Sequence, residues 1–147
     1  MDIIRTAELH DLDAIYEIEH ESFPAHIVYS KKDLIKAIKE EKIYCFDVDS
    51  MCVGYVWIEF TPSDRSAYIE SIAIASSHRH MGLGEKLLLK TFDILRENNV
   101  LSCYLHVSNQ NRSAVKLYKK HDFIKIDYLE QFYSDHEHAY LMEKLFV

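Results

Sequence analysis

Only three glycines occur in the 147 residues, and two of them stand at positions 82 and 84. Glycine weakens regular structure, so this pair marks a place where the backbone needs freedom. The segment reads Arg79-His80-Met81-Gly82-Leu83-Gly84-Glu85, between an apolar run ending near Ala75 and an amphipathic stretch reaching about Asn98. A strand, a glycine turn and a helix in that order aim consecutive N–H groups and the positive end of the helix dipole at one point. Such a turn suits an anion, and a pyrophosphate is its natural guest. Side chains at 82 and 84 would hold the phosphate oxygens away. The turn is not a P-loop, because no Gly-Lys-Ser/Thr follows, and not a dinucleotide fingerprint, because a third glycine is missing. A tight strand-to-helix turn without a ligand would use the same residues.

Nine histidines are many for this length. Imidazole is a base near neutral pH and a metal ligand. His78 with His80 and His136 with His138 are spaced as pairs, but neither has a third ligand at convincing spacing, so no metal is expected. Cys45, Cys52 and Cys103 also lack metal-like spacing and read as buried, reduced thiols of a cytosolic protein.

The composition limits the partners. With 17 Lys and Arg against 24 Asp and Glu, the formal net charge is -7. A nucleic-acid partner is disfavoured, because phosphate contacts draw on lysine and arginine. A cationic substrate such as an amine suits this charge. No stretch approaches the ~18 apolar residues needed to cross a bilayer, so no membrane span is expected. Met1-Asp2-Ile3-Ile4-Arg5 has no basic n-region and reads as a first strand, not a leader. The expected location is cytoplasmic.

The elements that must position these residues follow from periodicity. Ile3 to Thr6 reads as a strand. Asp11 is expected to cap a helix bearing Leu12, Ile15 and Ile18 on one face, ended by Phe23-Pro24. Ser30 caps a second helix whose buried stripe is Leu34, Ile35 and Ile38. Residues 43–48 and 51–60 form an antiparallel hairpin turning at Asp49-Ser50. Thr61-Pro62-Ser63-Asp64 is a turn, and 67–75 the next strand. A helix from Glu85, a strand over 100–107, a helix opened by Asn111 and paired strands over 123–132 and 139–146 complete the chain. No repeat, low-complexity tract or Pro/Gly linker interrupts it, so residues 1–147 read as one domain. The order β-α-α-β-β-β-α-β-α-β-β describes an α/β (α+β) sandwich. Its mixed, mostly antiparallel seven-stranded sheet is flanked by four helices. The strands near 70 and 105, joined by a helical crossover, are parallel neighbours.

Arg79-x-x-Gly82-x-Gly84 resembles the coenzyme A-binding signature of the GNAT superfamily of acetyltransferases, and Asn111-x-x-Ala114-Val115-x-Leu117-Tyr118-x-x-x-x-Phe123 downstream resembles its second signature. The likeness extends over nearly the whole chain. Within that superfamily the chain looks like a protein N-terminal acetyltransferase. Tyr68 to Ile74 resembles the strand before the phosphate loop in that group. Leu105-His106-Val107 resembles the strand end of its archaeal and eukaryotic members. Phe132 to Tyr140 resembles their Tyr-Tyr-x-Asp-Gly-Glu-Asp-Ala-Tyr hairpin. Ser22-Phe23-Pro24 is similar to bacterial ribosomal-protein-alanine acetyltransferases. Three departures stand out. Asp122 occupies a place where the family usually has glycine, Ala25 stands where many members have a glutamate, and His136 and His138 replace family residues in the hairpin.

The resemblance implies a GNAT fold with a splayed parallel strand pair at its centre. It implies transfer of an acetyl group from acetyl-CoA to the α-amino group of a protein or peptide N-terminus, by direct attack on the thioester. An α-amino group titrates near ~7.7–8.0 and lysine near ~10.4, so the N-terminus costs about 3 kcal/mol less to deprotonate. A modest base suffices. The implied catalytic residues are His106 as base, Tyr68 beside it, Glu70 as relay or amine ligand, and Tyr118 as acid toward the leaving thiolate. Tyr68 and Glu70, two apart on a strand, share a face. The implied cofactor contacts are the main chain of Ile72, Ala73 and Ile74, the loop Arg79, His80, Met81, Gly82, Leu83, Gly84 and Glu85, then Asn111 and Tyr118. An oxyanion N–H is expected near Ile72. Phe23, Pro24, Tyr29, Tyr68 and Tyr133 would clamp the acceptor peptide. Three alternatives remain open on sequence: a small-molecule amine acceptor, an internal lysine, or a non-catalytic acyl-CoA-binding or partner module. Whether an auxiliary subunit or a homodimer forms is also open.

Overall fold

A computed structural model describes residues 1–146. Seven strands and four helices follow the expected order. The strands are β1 (Asp2–Thr6), β2 (Ile43–Val48), β3 (Met51–Thr61), β4 (Ser66–Ile74), β5 (Ser102–Ser108), β6 (Ile124–Ser134) and β7 (Glu137–Leu145). The helices are α1 (Leu12–Ser22), α2 (Lys31–Lys39), α3 (Leu83–Glu97) and α4 (Arg112–Lys120). The sheet runs in the order β1-β2-β3-β4-β5-β7-β6. β4 and β5 are parallel, as the helical crossover between them requires, whereas β1–β2, β2–β3, β5–β7 and β6–β7 are antiparallel. The β4–β5 ladder runs from Ser66–Ser102 to Ile69–Leu105, while β4 continues to Ile74 and β5 to Ser108. No described helix is long and apolar enough to cross a membrane.

The chain packs as two compact units interleaved in sequence. The first comprises Met1–Ile58 and Ser71–Asp93, the second Glu59–Glu70 and the chain from Ile94 onward. In the first unit, Ile15 and Ile18 of α1, Leu34 and Ile38 of α2, and Ile43 and Tyr55 of the hairpin share one buried cluster. Their helical spacing of three and four puts each set on one stripe. Ile35 is only half-buried, and Ala37 takes its expected place in the core. Cys45 and Cys103 are buried, but Cys52 is only half so.

Local chemistry fixes the turns. Asp49 (φ 51°) and Ser50 (φ 68°) both lie in the left-handed region, the geometry of a two-residue hairpin whose twist matches its strands. Ser30 Oγ accepts the Asp33 N–H and starts α2. Asp11 does not cap α1 with its side chain. Its carboxylate instead accepts the Glu8 N–H at 2.8 Å and two Arg5 bonds at 2.9 Å, while Arg5 Nε also bonds Asp47 at 2.7 Å. An arginine fork and an unpaired N–H on the preceding turn hold the carboxylate more strongly than a cap would. Gly54 of β3 is required by space: a Cβ there would meet Ala73 O at 2.9 Å and Ile74 Cδ1 at 2.7 Å.

Candidate active site

The glycine turn belongs to the first unit. After β4, residues Ser76–His78 make a single 3-10 turn, and α3 begins at Leu83, two residues earlier than expected. Gly82 has φ +76°, which a side chain disfavours, although a Cβ there would touch nothing within 4 Å. At Gly84 a Cβ would reach only Ile74 Cγ1, at 4.0 Å. The surface over both glycines is therefore open on the side the protein leaves uncovered, as a phosphate cradle at a helix start demands. The Arg79 guanidinium does not serve that cradle. It bonds Ile74 O at 3.1 Å and Ser22 Oγ at 2.8 Å, tying the end of β4 to the end of α1. His80 (φ 63°) and Met81 are exposed, Leu83 is buried, and Glu85 lies half-buried in the first turn of α3. Ile72 and Ala73 are half-buried and Ile74 is buried on β4.

The loop between α1 and α2 is also in the first unit. Phe23 and Tyr29 are half-buried, and Pro24 is exposed. Tyr29 packs its ring on Trp57 at 4.6 Å and donates its N–H to Glu19 Oε2 at 3.1 Å. Glu19, which is not among the candidate residues read from sequence, is only 1% exposed. The Tyr55 hydroxyl and Ser71 Oγ both donate to its other oxygen. Burial pushes its carboxyl up, while the Tyr29 N–H and Ser71 pull it back. The available signal was that Ile15, Ile18 and Glu19 share one helical face, which placed a carboxylate inside the core.

The remaining candidates lie in the second unit. On β4, alternate residues Tyr68 and Glu70 are half-buried between buried Ala67, Ile69 and Ser71. On β5, His106 is half-buried between buried Leu105 and Val107. Tyr68 Oη and His106 Nδ1 are 2.5 Å apart. Two arrangements satisfy this contact: the phenol donates to a bare Nδ1, or Nδ1–H donates to the phenol oxygen and leaves the Nε2 lone pair free. Burial lowers the His106 pKa, opposed by the nearby charges of Glu70 and Asp127, so the ring stays neutral below the usual histidine range. Burial, then the Glu70 charge, drive the Tyr68 phenol well above its ordinary value.

Phe132, which the spacing arguments left aside, stacks on His106 at 4.5 Å and 13°. Tyr133 meets Phe132 edge-on at 4.9 Å, and burial pushes its phenol up to about 12. Asn111 caps α4, with Oδ1 accepting the Ala114 N–H at 3.3 Å. Tyr118, one turn of spacing beyond buried Val115, is itself buried against Phe123. Desolvation raises its phenol pKa, so it keeps its proton across the neutral range. Among the described residues, no three His, Cys, Asp or Glu side chains gather as metal ligands would.

Comparison with known proteins bears on this geometry. Residues 12–123 match the profile of the Acetyltransferase (GNAT) family, which spans the glycine turn, β5 and α4. The chain belongs to the GNAT acetyltransferase family. Among relatives of this GNAT chain, an N-alpha-acetyltransferase of Sulfolobus acidocaldarius is 33% identical over 95% of this chain and 89% of its own. An N-alpha-acetyltransferase of Sulfurisphaera tokodaii is 32% identical over 95% of this chain and 90% of its own. Ard1 from Thermoplasma volcanium superposes with a TM-score of 0.89 at 27% identity, over 99% of this chain and 98% of that one. The seven-stranded mixed sheet with its parallel β4–β5 pair and four helices is the GNAT fold.

Proposed function

We propose that this GNAT chain is an acetyl-CoA-dependent N-alpha-acetyltransferase that acetylates protein N-termini, working as one domain over residues 1–147. The observation that carries the reading is the Tyr68–His106 contact at 2.5 Å, beside Glu70 on a strand that leads into the glycine turn. The archaeal relatives named for this activity match over nearly the whole chain, which supports the same acceptor class.

The residues fit acetyl-CoA as donor. The Gly82–Gly84 turn offers main-chain N–H groups at an uncovered helix start for the diphosphate. The main chain of Ile72 to Ile74 would pair with the pantetheine amides and supply the oxyanion N–H, and Asn111 would hold the pantetheine arm. The acetyl thioester, when bound, supplies the activated carbonyl.

His106 takes the proton of the attacking amine on Nε2, from the tautomer in which Nδ1–H donates to Tyr68. The new bond joins the amine nitrogen to the carbonyl carbon, and the C–S bond breaks. Tyr118 donates its phenolic proton to the departing sulfur. Glu70 favours the imidazolium that forms on His106. Phe23, Pro24, Tyr29 and Tyr133 are assigned to the extended acceptor peptide.

The test is release of free thiol from acetyl-CoA with a panel of acceptors. Unblocked peptides should be acetylated, and an N-blocked lysine peptide and polyamines should not. Turnover confined to polyamines or lysine would replace the acceptor class. Tight cofactor binding without any turnover would make the chain a binding module.

A further inference from the structure

The hairpin β6–β7 is regular at neither end, and its second irregularity faces His106. The register passes from Leu129–Ala139 to Ser134–Glu137, so β6 carries three more residues than β7 across this interval. Such a bulge leaves N–H groups without ladder partners and re-aims side chains. Gln131, inside it, takes φ 53°, a left-handed conformation costly for a non-glycine residue. Its N–H does find a partner: it donates to His138 Nδ1 at 2.8 Å.

His138 is itself held from both sides. Its N–H donates to Asn109 Oδ1 at 3.1 Å, and its carbonyl accepts the Asn109 N–H at 2.9 Å. Asn109 follows β5 three residues after His106, so the anchor and the stacked imidazole are carried by one strand end. The residue immediately after the strained Gln131 is Phe132, whose ring lies flat on His106 although the residue is 47% exposed. An aromatic ring so exposed is not held by core packing. Its position depends on the backbone that presents it.

We propose that His138 is a positioning residue for His106: its Nδ1 holds the Gln131 bulge, and the bulge lays Phe132 against the imidazole. This rests on the acetyltransferase reading above for its functional consequence. His138 touches neither the acceptor nor the donor in this role. It acts through Gln131 and Phe132, which fix the plane of the imidazole while Tyr68 fixes its rotation. Only an unprotonated Nδ1 can accept the Gln131 N–H, so the proton of neutral His138 resides on Nε2.

The side-chain chemistry gives a sharp test. Asn places its Oδ1 at the same bond count from Cα as His Nδ1, whereas Leu places a methyl there. His138→Leu is expected to lower kcat for an N-terminal peptide about tenfold or more, the scale of misplacing a catalytic group, with KM for acetyl-CoA unchanged. His138→Asn should retain most of the wild-type kcat. Phe132→Leu should reproduce the loss, and the Phe132→Leu/His138→Leu double variant should lose no more than either alone, because both act on one contact. The His106 ring protons, shifted by the stacked Phe132 ring, should move alike in both Leu variants whether or not the protein acetylates peptides. Wild-type kcat and unmoved His106 shifts in folded His138→Leu would overturn the proposal. Equal losses in His138→Leu and His138→Asn would overturn it too. A wild-type protein without transferase activity, but with those shifts, would overturn the acetyltransferase reading and leave the positioning intact.

Discussion

The Tyr68 hydroxyl lies 2.5 Å from His106 Nδ1, joining a residue of β4 to one of β5 across a separation of 38 positions. The contact fixes which imidazole nitrogen can meet an acceptor. His106 works as a base only when neutral, and burial lowers its pKa from the usual 6.5. The acid limb of kcat should therefore fall below pH 6.5, with activity lost as pH drops through the depressed value. Glu70 favours the imidazolium, so Glu70→Gln should move that limb further down. A pH profile of the two proteins checks it, and an upward shift would remove His106 as the titrating base. His106→Ala should cost on the order of 100-fold or more in kcat.

The two loop glycines should respond oppositely in stability and alike in binding. Gly82 has φ +76°, so Gly82→Ala should destabilise by about 1–2 kcal/mol. Gly84 lies in the first turn of α3 with its nearest foreign atom at 4.0 Å, so Gly84→Ala should stabilise by up to about 1 kcal/mol. Both should raise KM for acetyl-CoA, because a methyl would stand where the diphosphate approaches. Denaturant melts beside acetyl-CoA titrations separate the effects. A Gly84→Ala protein with unaltered KM would show that the turn does not carry the phosphate.

Acid should unfold the protein partly through Asp11. The Arg5 hydrogen bonds hold this carboxyl down at about 2, against an ordinary 3.8. A depressed folded pKa gives stability that is present above the unfolded value and is lost as pH falls from about 4 to about 2. The contribution is about 2 kcal/mol at neutral pH. Asp11→Asn should flatten the stability profile in that window while leaving the profile above pH 5 parallel to wild type. Urea melts from pH 2 to 7 measure it.

Asp122 stands at φ 70° between α4 and Phe123, where its N–H bonds Lys119 O and the Phe123 N–H bonds Tyr118 O. Such helix ends favour glycine, and aspartate tolerates them better than other side chains. Asp122→Gly is expected to raise stability by about 0.5–1 kcal/mol, and Asp122→Val to lower it by about 1–2 kcal/mol. The order Gly, Asp, Val in melting temperature is the check. The departure from the family pattern thus leaves the turn intact, at a cost in backbone strain.

Much of the architecture followed from local signals. Ser30 and Asn111 were legible as caps because an N-cap bond spans three residues of contiguous chain. Tyr68 and Glu70 were legible as neighbours because strand side chains alternate. Asp11 stands at the expected N-cap position of α1, but where its carboxylate bonds was not legible, for the opposite reason. Its stronger partner, Arg5, also reaches Asp47, 42 residues from Arg5. Glu19 escaped notice as a buried ligand of Tyr29, Tyr55 and Ser71, since the last lies 52 residues away.

The sequence by itself determined the order of the elements, the glycine turn at a helix start and the identity of the titrating groups. These depend on periodicity, backbone freedom and side-chain type, all of which act over a few neighbouring residues. Tertiary structure alone decided that Tyr68 meets His106 through Nδ1, that Glu19 bonds Tyr29, Tyr55 and Ser71 together, and that Phe132 lies on His106. Those outcomes depend on strand register and on a bulge in β6, where a slip of one residue would turn each side chain to the other face.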